Sequence, residues 1–253
     1  MEPEGAFLGQ YAIVTGGAQG LGEGIVKMLV DGGCSVMIFD VNLAKTKAFA
    51  SSLSEKGHVV ECCAVNVAEE ASVTAGFEAF RETFPRLDIM VNCAGIVGPN
   101  GVKIESVSAE DFDRVYAVNT KGSFLMTKYS IIEMKKNNYG RILLIASVAG
   151  KEGNAGMCAY SMSKAAVIGL VKSVGKEYAE TGITVNALAP AVVRTEMVEN
   201  MNPQQVKQLT DKIPAKRCCT VEEVASITKF IVSREASFNT AFCFDLTGGR
   251  ATY

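Results

Sequence analysis

The sequence predicts an α/β chain built as a doubly wound parallel sheet with helices on both faces. Three observations point there. Short apolar runs of strand length alternate with longer stretches whose apolar residues recur at helical spacing. Such alternation buries a parallel sheet between two helical layers, because each crossover returns the chain across one face. The first strand-like run also opens into a glycine-rich turn followed at once by a helical pattern.

Tyr11-Ala12-Ile13-Val14 is the first expected strand, and Ile25, Leu29 and Val30 recur at helical spacing behind it. Cys34-Ser35-Val36-Met37-Ile38-Phe39 is the second. A helix over about 43–55, a strand near 59–65, a helix near 70–84 and a strand at Asp88-Ile89-Met90-Val91 continue the pattern. One long helix is expected over about 109–136, then the strand Arg141-Ile142-Leu143-Leu144-Ile145 and a second long helix from about 157, ended by Gly182. Ile183-Thr184-Val185-Asn186-Ala187-Leu188, a helix near 221–232 and a strand at Phe242-Cys243-Phe244 close the order. Right-handed crossovers leave few topologies for it. No repeat, low-complexity segment or linker stands out, so 1–253 is expected to form one domain. The polar stretch from about 190 to 220, with Pro203 and Pro214, is long for a connection and is expected to be a substrate lid.

Composition excludes several functions. The net charge is −2, with acidic and basic residues mixed along the chain, so the basic stripe that nucleic acid needs is missing. No apolar run is long enough to cross a bilayer. Met1-Glu2-Pro3-Glu4-Gly5 lacks the pattern of a secretory signal, and Ala251-Thr252-Tyr253 is no peroxisomal tripeptide, so a cytoplasmic protein is expected. The eight cysteines are Cys34, Cys62, Cys63, Cys93, Cys158, Cys218, Cys219 and Cys243. None forms a C-x-x-C, and with His58 the one histidine, no metal site is expected. They read as reduced thiols acting as small hydrophobes, Cys158 being notable for its place two residues before Tyr160. His58, in Gly57-His58-Val59-Val60, reads as the structural start of a strand, which leaves no histidine for a serine triad.

The turn after the first strand is Thr15-Gly16-Gly17-Ala18-Gln19-Gly20-Leu21-Gly22. Glycines let backbone approach a pyrophosphate, and a helix N-terminus supplies N–H groups and the positive end of its dipole. Many glycine turns are only turns, but its position between strand one and helix one points to a dinucleotide. Asp40 ends the second strand, where a carboxylate accepts hydrogen bonds from an adenosine ribose and repels a 2′-phosphate. The nearest basic residue is Lys45, so NAD is favoured over NADP. Asn92-Cys93-Ala94-Gly95 follows the fourth strand, at the sheet edge where ligands bind, and its small residues allow a cofactor to lie close.

Ser147 follows the fifth strand, and Tyr160 and Lys164 stand four apart in Ala159-Tyr160-Ser161-Met162-Ser163-Lys164, on one face if the segment is helical. A carbinol must lose a proton as it gives up hydride. Free tyrosine, with a pKa of about 10, is too weak a base near neutrality. A nearby ammonium and a nicotinamide positive charge favour the phenolate. Ser147 is placed to hold the substrate oxygen against Tyr160. Asn119, in Tyr116-Ala117-Val118-Asn119-Thr120-Lys121-Gly122, is a poor interior helix residue, and a water link to Lys164 would explain it.

With those residues in order, the chain resembles the short-chain dehydrogenase/reductase family over nearly its whole length. The resemblance implies a Rossmann-like sheet of about seven parallel strands, a homotetramer, hydride transfer at the nicotinamide, and contact of Lys164 with the nicotinamide ribose. It implies a cofactor set of Gly16, Gln19, Gly20, Leu21, Gly22, Asp40, Asn66, Val67, Asn92, Ala94, Gly95, Tyr160, Lys164, Val193 and Thr195. Within it, Asn66 would lie near adenine and Thr195 near the carboxamide. The implied catalytic set is Asn119, Ser147, Tyr160 and Lys164. Asn66 stands where many members carry aspartate, and Pro190-Ala191 where Pro-Gly is usual, so the backbone at Ala191 must avoid a glycine-only conformation.

The stretch Ala146-Ser147-Val148-Ala149-Gly150-Lys151-Glu152-Gly153-Asn154 and the tail from Phe244 to Tyr253 are similar to those of sugar-acid dehydrogenases of the 2-keto-3-deoxy-L-fuconate and -rhamnonate type. A small hydroxylated or deoxy sugar acid is therefore expected, bound by Ser147, Lys151, Asn154, Tyr160 and Arg250, with either cation pairing its carboxylate. A 3-oxoacyl-carrier or general carbonyl reductase is the alternative, disfavoured by Asp40 insofar as such enzymes prefer NADPH. A nucleotide-sensing scaffold protein without catalysis is a third reading, and it predicts erosion of Ser147, Tyr160 or Lys164, all of which are present.

Overall fold

In the computed structural model, which describes residues 5–200 and 202–253, the strands are β1 (Tyr11–Thr15), β2 (Ser35–Asp40), β3 (Val60–Ala64), β4 (Ile89–Asn92), β5 (Gly140–Ile145), β6 (Ile183–Pro190) and β7 (Cys243–Leu246). All seven lie in one sheet, in the order β3-β2-β1-β4-β5-β6-β7. Every neighbouring pair is parallel, from Tyr11 opposite Ser35 in β1–β2 to Pro190 opposite Leu246 in β6–β7. The expected doubly wound parallel sheet is therefore present. The chain winds outward from β1 to β3, then returns to start again at β4. That reversal parts the connections above the carboxyl ends of β1 and β4 and opens the crevice where such folds bind ligands.

The helices are α1 (Gly20–Asp31), α2 (Leu43–Ser54), α3 (Glu70–Thr83), α4 (Ala109–Tyr116), α5 (Gly122–Met134), α6 (Ala149–Glu152), α7 (Cys158–Glu177), α8 (Glu196–Glu199), α9 (Pro203–Asp211) and α10 (Val221–Ile231). Strand side chains alternate between faces, and the core divides accordingly. Ile13, Met37, Met90, Ile142 and Val185 pack with Phe77, Leu125 and Val167 on one face. Ala12, Val36, Val91 and Leu143 pack with Ile25, Leu29 and Val224 on the other. β5 and β6 are buried at every position, which explains their continuous apolar runs.

Two expectations are corrected. The single helix over about 109–136 is two helices joined by a π-helical turn at Ala117–Lys121, followed by a 3-10 turn at Lys135–Asn137. Helical periodicity does not reveal a widened turn, which keeps the chain helical on either side. The second long helix stops at Glu177, well before Gly182. The stretch from about 190 to 220 carries α8 and α9. Asn202 caps α9 through its side chain, and Pro203 stands in the first turn, where its missing N–H costs nothing. α10 then opens on a full capping box, Thr220 with Glu223.

Candidate active site

The glycine turn is forced into shape by its neighbours. Gly16 and Gly20 adopt φ of 61° and 56°, a region that side chains disfavour. A Cβ on Gly16 would lie 3.0 Å from the Ala94 nitrogen, and one on Gly22 only 2.2 Å from the Gly16 oxygen. The turn thus lies flat against the segment after β4, leaving a cradle that side chains would fill. Gln19 precedes α1 without a side-chain cap, so that side chain leaves the first-turn N–H groups of α1 to an anion. Its amide oxygen instead accepts from Lys45 Nζ at 2.9 Å. Leu21 packs on the core beneath.

Asp40 is partly exposed at the end of β2. Its carboxylate accepts from the N–H groups of Ala18 (3.3 Å) and Asn42 (2.9 Å), tying the glycine turn to β2 while keeping lone pairs for a ribose. Asn42, not Asp40, caps α2. Asn66 has local partners. Its amide donates to Glu69 (2.8 Å) and accepts from the Ala68 N–H (3.1 Å), so it shapes the entry to α3. Val67 lies in the core. Across the crevice Val193 is buried and bridges Cys219 in a short parallel pair. The Thr195 methyl lies 3.6 Å from where a Cβ on Gly20 would stand, so Thr195 faces the glycine turn. The non-glycine residues with positive φ, among those described, are Asn138, Lys216 and Ala241; Ala191 avoids that region, as its side chain requires.

Lys164, buried in α7, donates from Nζ to the Ile145 carbonyl at 2.7 Å, and its Nζ stands 5.8 Å from the centroid of the Tyr160 ring. Burial pulls the Lys164 ammonium down to a pKa of about 8, against a smaller upward pull from the Cys93 thiol. Burial also pushes Tyr160 up, while a hydrogen bond with the Ser147 hydroxyl works the other way. Ser147 is itself held by the Ala149 N–H, 3.1 Å from its hydroxyl oxygen. Gly95 has no side chain because a Cβ there would meet both Asn119 Oδ1 (3.2 Å) and Lys164 Nζ (3.4 Å).

Asn119 sits in the π-helical turn, fully buried. Its amide clasps the Ile96 backbone, accepting from N–H and donating to C=O at 2.8 Å each, and donates to the Ser163 hydroxyl at 2.9 Å. Those bonds use both donors of the amide and one acceptor site of its oxygen. Asn92 is equally occupied, accepting from the Thr15 hydroxyl (2.6 Å) and donating to Ser123 (3.0 Å). Sequence reasoning passed over Thr15, Ser123 and Ser163. The available signal was small hydroxyl residues at interior positions of buried elements.

Among the expected substrate residues, both cations already have carboxylate partners within the chain. Lys151 reaches both carboxylate oxygens of Asp245, at 2.7 and 2.9 Å. Arg250 bonds Glu152 and the Asn154 side-chain oxygen, both at 2.8 Å. The Tyr253 hydroxyl donates to the Lys151 carbonyl at 2.7 Å. Both cations are about nine-tenths buried and already paired with a carboxylate of the chain. Among the described residues, no cluster of three or more His, Cys, Asp or Glu is placed to hold a metal ion, and no helix is long and apolar enough to cross a membrane.

The cleft offers a dinucleotide cradle on one side and a tyrosine beside a buried lysine on the other, which together meet the needs of an oxidoreductase passing hydride to or from a carbonyl carbon. The chain belongs to the short chain dehydrogenase family, whose model matches residues 10–206. It is 40% identical over 252 residues to a 2-dehydro-3-deoxy-L-rhamnonate dehydrogenase (NAD(+)) of Sphingomonas sp. (strain SKA58), covering 98% of each chain. It is 34% identical to the 3-oxoacyl-acyl-carrier-protein reductase of Rickettsia bellii (strain RML369-C), covering 95% of this chain and 96% of that one. A crystal structure of NAD+-bound xylitol dehydrogenase superposes with a TM-score of 0.90 at 26% identity, over 96% of this chain and 99% of the other.

Proposed function

We propose that this protein transfers hydride between NAD(H) and a secondary alcohol or ketone of a small hydroxylated or deoxy sugar acid, with Ser147, Tyr160 and Lys164 handling the proton. The observation that carries this is the buried Lys164 beside Tyr160, with the Ser147 hydroxyl acting to lower the tyrosine's pKa, on the rim of a cleft whose far wall is the glycine turn. Asp40 supports NAD, since its carboxylate would repel a 2′-phosphate. So do the name of the Sphingomonas relative and the NAD+ in the xylitol dehydrogenase structure. The sugar-acid substrate is supported by the identity to the Sphingomonas enzyme along almost the whole of both chains.

Bound NAD supplies the hydride acceptor and a positive charge at the nicotinamide. This chain supplies the rest. Ser147 holds the substrate oxygen, and Tyr160 takes its proton in oxidation or returns it in reduction. Working near neutrality requires lowering a tyrosine by roughly three pKa units, about 4 kcal/mol of differential interaction. Lys164 contributes while charged, and its own pKa of about 8 places that charge at the edge of the working range. Because the groups interact, the proton leaves in macroscopic steps that belong to the set.

Asn119, Asn92, Ala94 and Gly95 shape the wall beneath the cofactor, Val193 and Thr195 the opposite wall, and the 190–220 segment covers the substrate. We place the enzyme in the cytoplasm and read it as a homotetramer; the exposed aromatic side chains of Phe124, Phe238 and Phe242 support contact between copies. The acyl-carrier reductase reading is kept alive by the Rickettsia relative. The deciding experiment is NAD reduction over deoxy sugar acids, polyols, hydroxysteroids and hydroxyacyl esters. The highest kcat/KM is expected with a deoxy sugar acid, and a hydroxyacyl ester in first place would replace this reading.

A further inference from the structure

A continuous run of buried hydrogen bonds joins the glycine turn to the first turn of α7. The Thr15 hydroxyl donates to Asn92 Oδ1 (2.6 Å), and the Asn92 amide donates to Ser123 Oγ (3.0 Å). The Ser123 hydroxyl donates to the Asn119 carbonyl (2.6 Å). The Asn119 amide donates to Ser163 Oγ (2.9 Å), and the Ser163 hydroxyl donates to the Tyr160 carbonyl (2.7 Å). Thr15, Asn92, Ser123, Asn119 and Ser163 are all buried.

The direction of this run is set by backbone groups that cannot reverse. The Ala94 N–H donates to the Thr15 oxygen at 3.0 Å, so the Thr15 proton must point at Asn92. The Ile96 N–H donates to Asn119 Oδ1, so the other end of that amide is the NH2 that faces Ser163. Amide orientation is otherwise ambiguous, and here two backbone donors from the same segment after β4 resolve it. Ser163, with one acceptor site filled by Asn119 and its one proton given to Tyr160, is the hinge between the π-helical turn and the helix that carries Tyr160 and Lys164.

We infer that Ser163 is a positioning residue for proton transfer, holding the first turn of α7 against Asn119 so that Tyr160 and the buried Lys164 keep their mutual placement. The inference rests on the assignment of Tyr160 as the proton-exchanging group. Removing the Ser163 hydroxyl leaves the buried Asn119 NH2 short of one acceptor, and it takes from the Tyr160 carbonyl a second bond beside that of the helix itself. The orphaned amide donor draws in water or moves. Either outcome relieves the burial that pushes Tyr160 up.

The test follows the tyrosinate absorbance of the cofactor-free protein against pH, isolating Tyr160 by subtracting the Tyr160→Phe titration, together with NAD-dependent oxidation kinetics. Ser163→Ala is expected to move the Tyr160 midpoint down toward that of ordinary tyrosine. It should also lower kcat roughly tenfold or more. Ser163→Thr keeps the hydroxyl and restores both. Should the alanine variant not fold, Ser163→Cys, which leaves no cavity and is only a weak donor and acceptor, is expected to behave as described for alanine. Turnover and midpoint unchanged in a folded hydroxyl-free variant would overturn the inference, as would failure of threonine to restore either. Tyr160→Phe separates the two levels. If it stays active, the proton-transfer assignment itself is wrong. If it is inactive while Ser163→Ala titrates and turns over normally, only the role of Ser163 falls.

Discussion

Lys164 Nζ stands 5.8 Å from the centroid of the Tyr160 ring and gives a hydrogen bond to the Ile145 carbonyl at 2.7 Å. The lysine is thus anchored to the sheet beneath the tyrosine rather than pointed into solvent, and its desolvation has a cost that stability measurements should see. Its pKa falls from 10.5 in the open chain to about 8 in the fold. Between those values the unfolded chain holds a proton that the folded chain has released, so stability rises with pH across that window. Below about pH 8 the penalty is fully present, and it amounts to roughly 3 kcal/mol. Lys164→Met should therefore gain stability relative to the original protein at pH 7, and the gap should close toward pH 10. The absolute difference also contains the lost bond to Ile145, so the slope of the difference with pH is the readout in chemical denaturation. A gap independent of pH would show that Lys164 is not desolvated.

Tyr160→Phe should remove most of kcat and leave the NADH dissociation constant nearly unchanged, because the ring still packs but exchanges no proton. Lys164→Ala should damage both, since Lys164 is assigned to the nicotinamide ribose as well as to Tyr160. Stopped-flow NADH binding beside steady-state rates checks the split. Near-normal turnover in Tyr160→Phe would remove the mechanism.

The sheet and the Tyr–Lys pair were legible because each rests on a local rule. Strands such as Ile183-Thr184-Val185-Asn186-Ala187-Leu188 announce themselves by apolar runs, and Tyr160 and Lys164 by a four-residue interval on a helix. What was not legible depends on partners distant in sequence. Nothing in Lys151 shows that Asp245 will take its charge from 94 positions away, nor in Arg250 that Glu152 will do so from 98. The π-helical turn at Ala117–Lys121 was hidden for a similar reason. It is stabilised by the clasp of Asn119 on Ile96, a contact that helical periodicity does not encode.

Cofactor choice is expected to follow Asp40. The original enzyme should show the higher kcat/KM with NAD. Replacing Asp40 by Ala with Arg at Val41 removes a repelling charge and adds a phosphate donor, a change of roughly ten- to a hundredfold in the NAD/NADP ratio. Lys45 already bonds Gln19 at 2.9 Å and by itself leaves the carboxylate of Asp40 unopposed. A higher kcat/KM with NADP in the unaltered enzyme would refute this.

Gly22→Ala should abolish dinucleotide binding and lower stability. The added methyl would sit 2.2 Å from the Gly16 oxygen, and the obstacle is backbone that cannot swing aside. Overpacking of this kind costs about 1–3 kcal/mol, and it falls on the turn that receives the pyrophosphate. Equilibrium NADH fluorescence and a thermal melt measure the two effects. Gly101→Ala is the control for a glycine with open space around it, although its φ of 74° adds local strain. It should leave NADH binding intact.

The proposed sugar-acid substrate calls for a charge test built on the ion pairs of Lys151 and Arg250. Lys151 and Arg250 sit beside the substrate stretch, but Asp245 and Glu152 neutralise them. A substrate carboxylate must compete with those partners or share a cation with them. Arg250 uses Nε on Glu152 and one terminal nitrogen on Asn154, and an arginine fork has further donors to offer. The cations therefore become better receptors when their partners lose charge. Asp245→Asn and Glu152→Gln should each raise the preference for 2-dehydro-3-deoxy-L-rhamnonate over its uncharged amide, in the ratio of kcat/KM. Lys151→Ala and Arg250→Ala should lower it, by roughly tenfold for whichever cation makes a charge-assisted contact. Arg250→Ala has a second consequence, because it also frees Asn154, whose N–H donates to Ser161 beside Tyr160 at 3.1 Å. Its loss should raise KM for acid and amide alike, on top of the change in their ratio. Equal turnover of acid and amide by the original enzyme, unmoved by Asp245→Asn or Glu152→Gln, would make the cluster a purely structural strap and a neutral alcohol or ketone the better substrate.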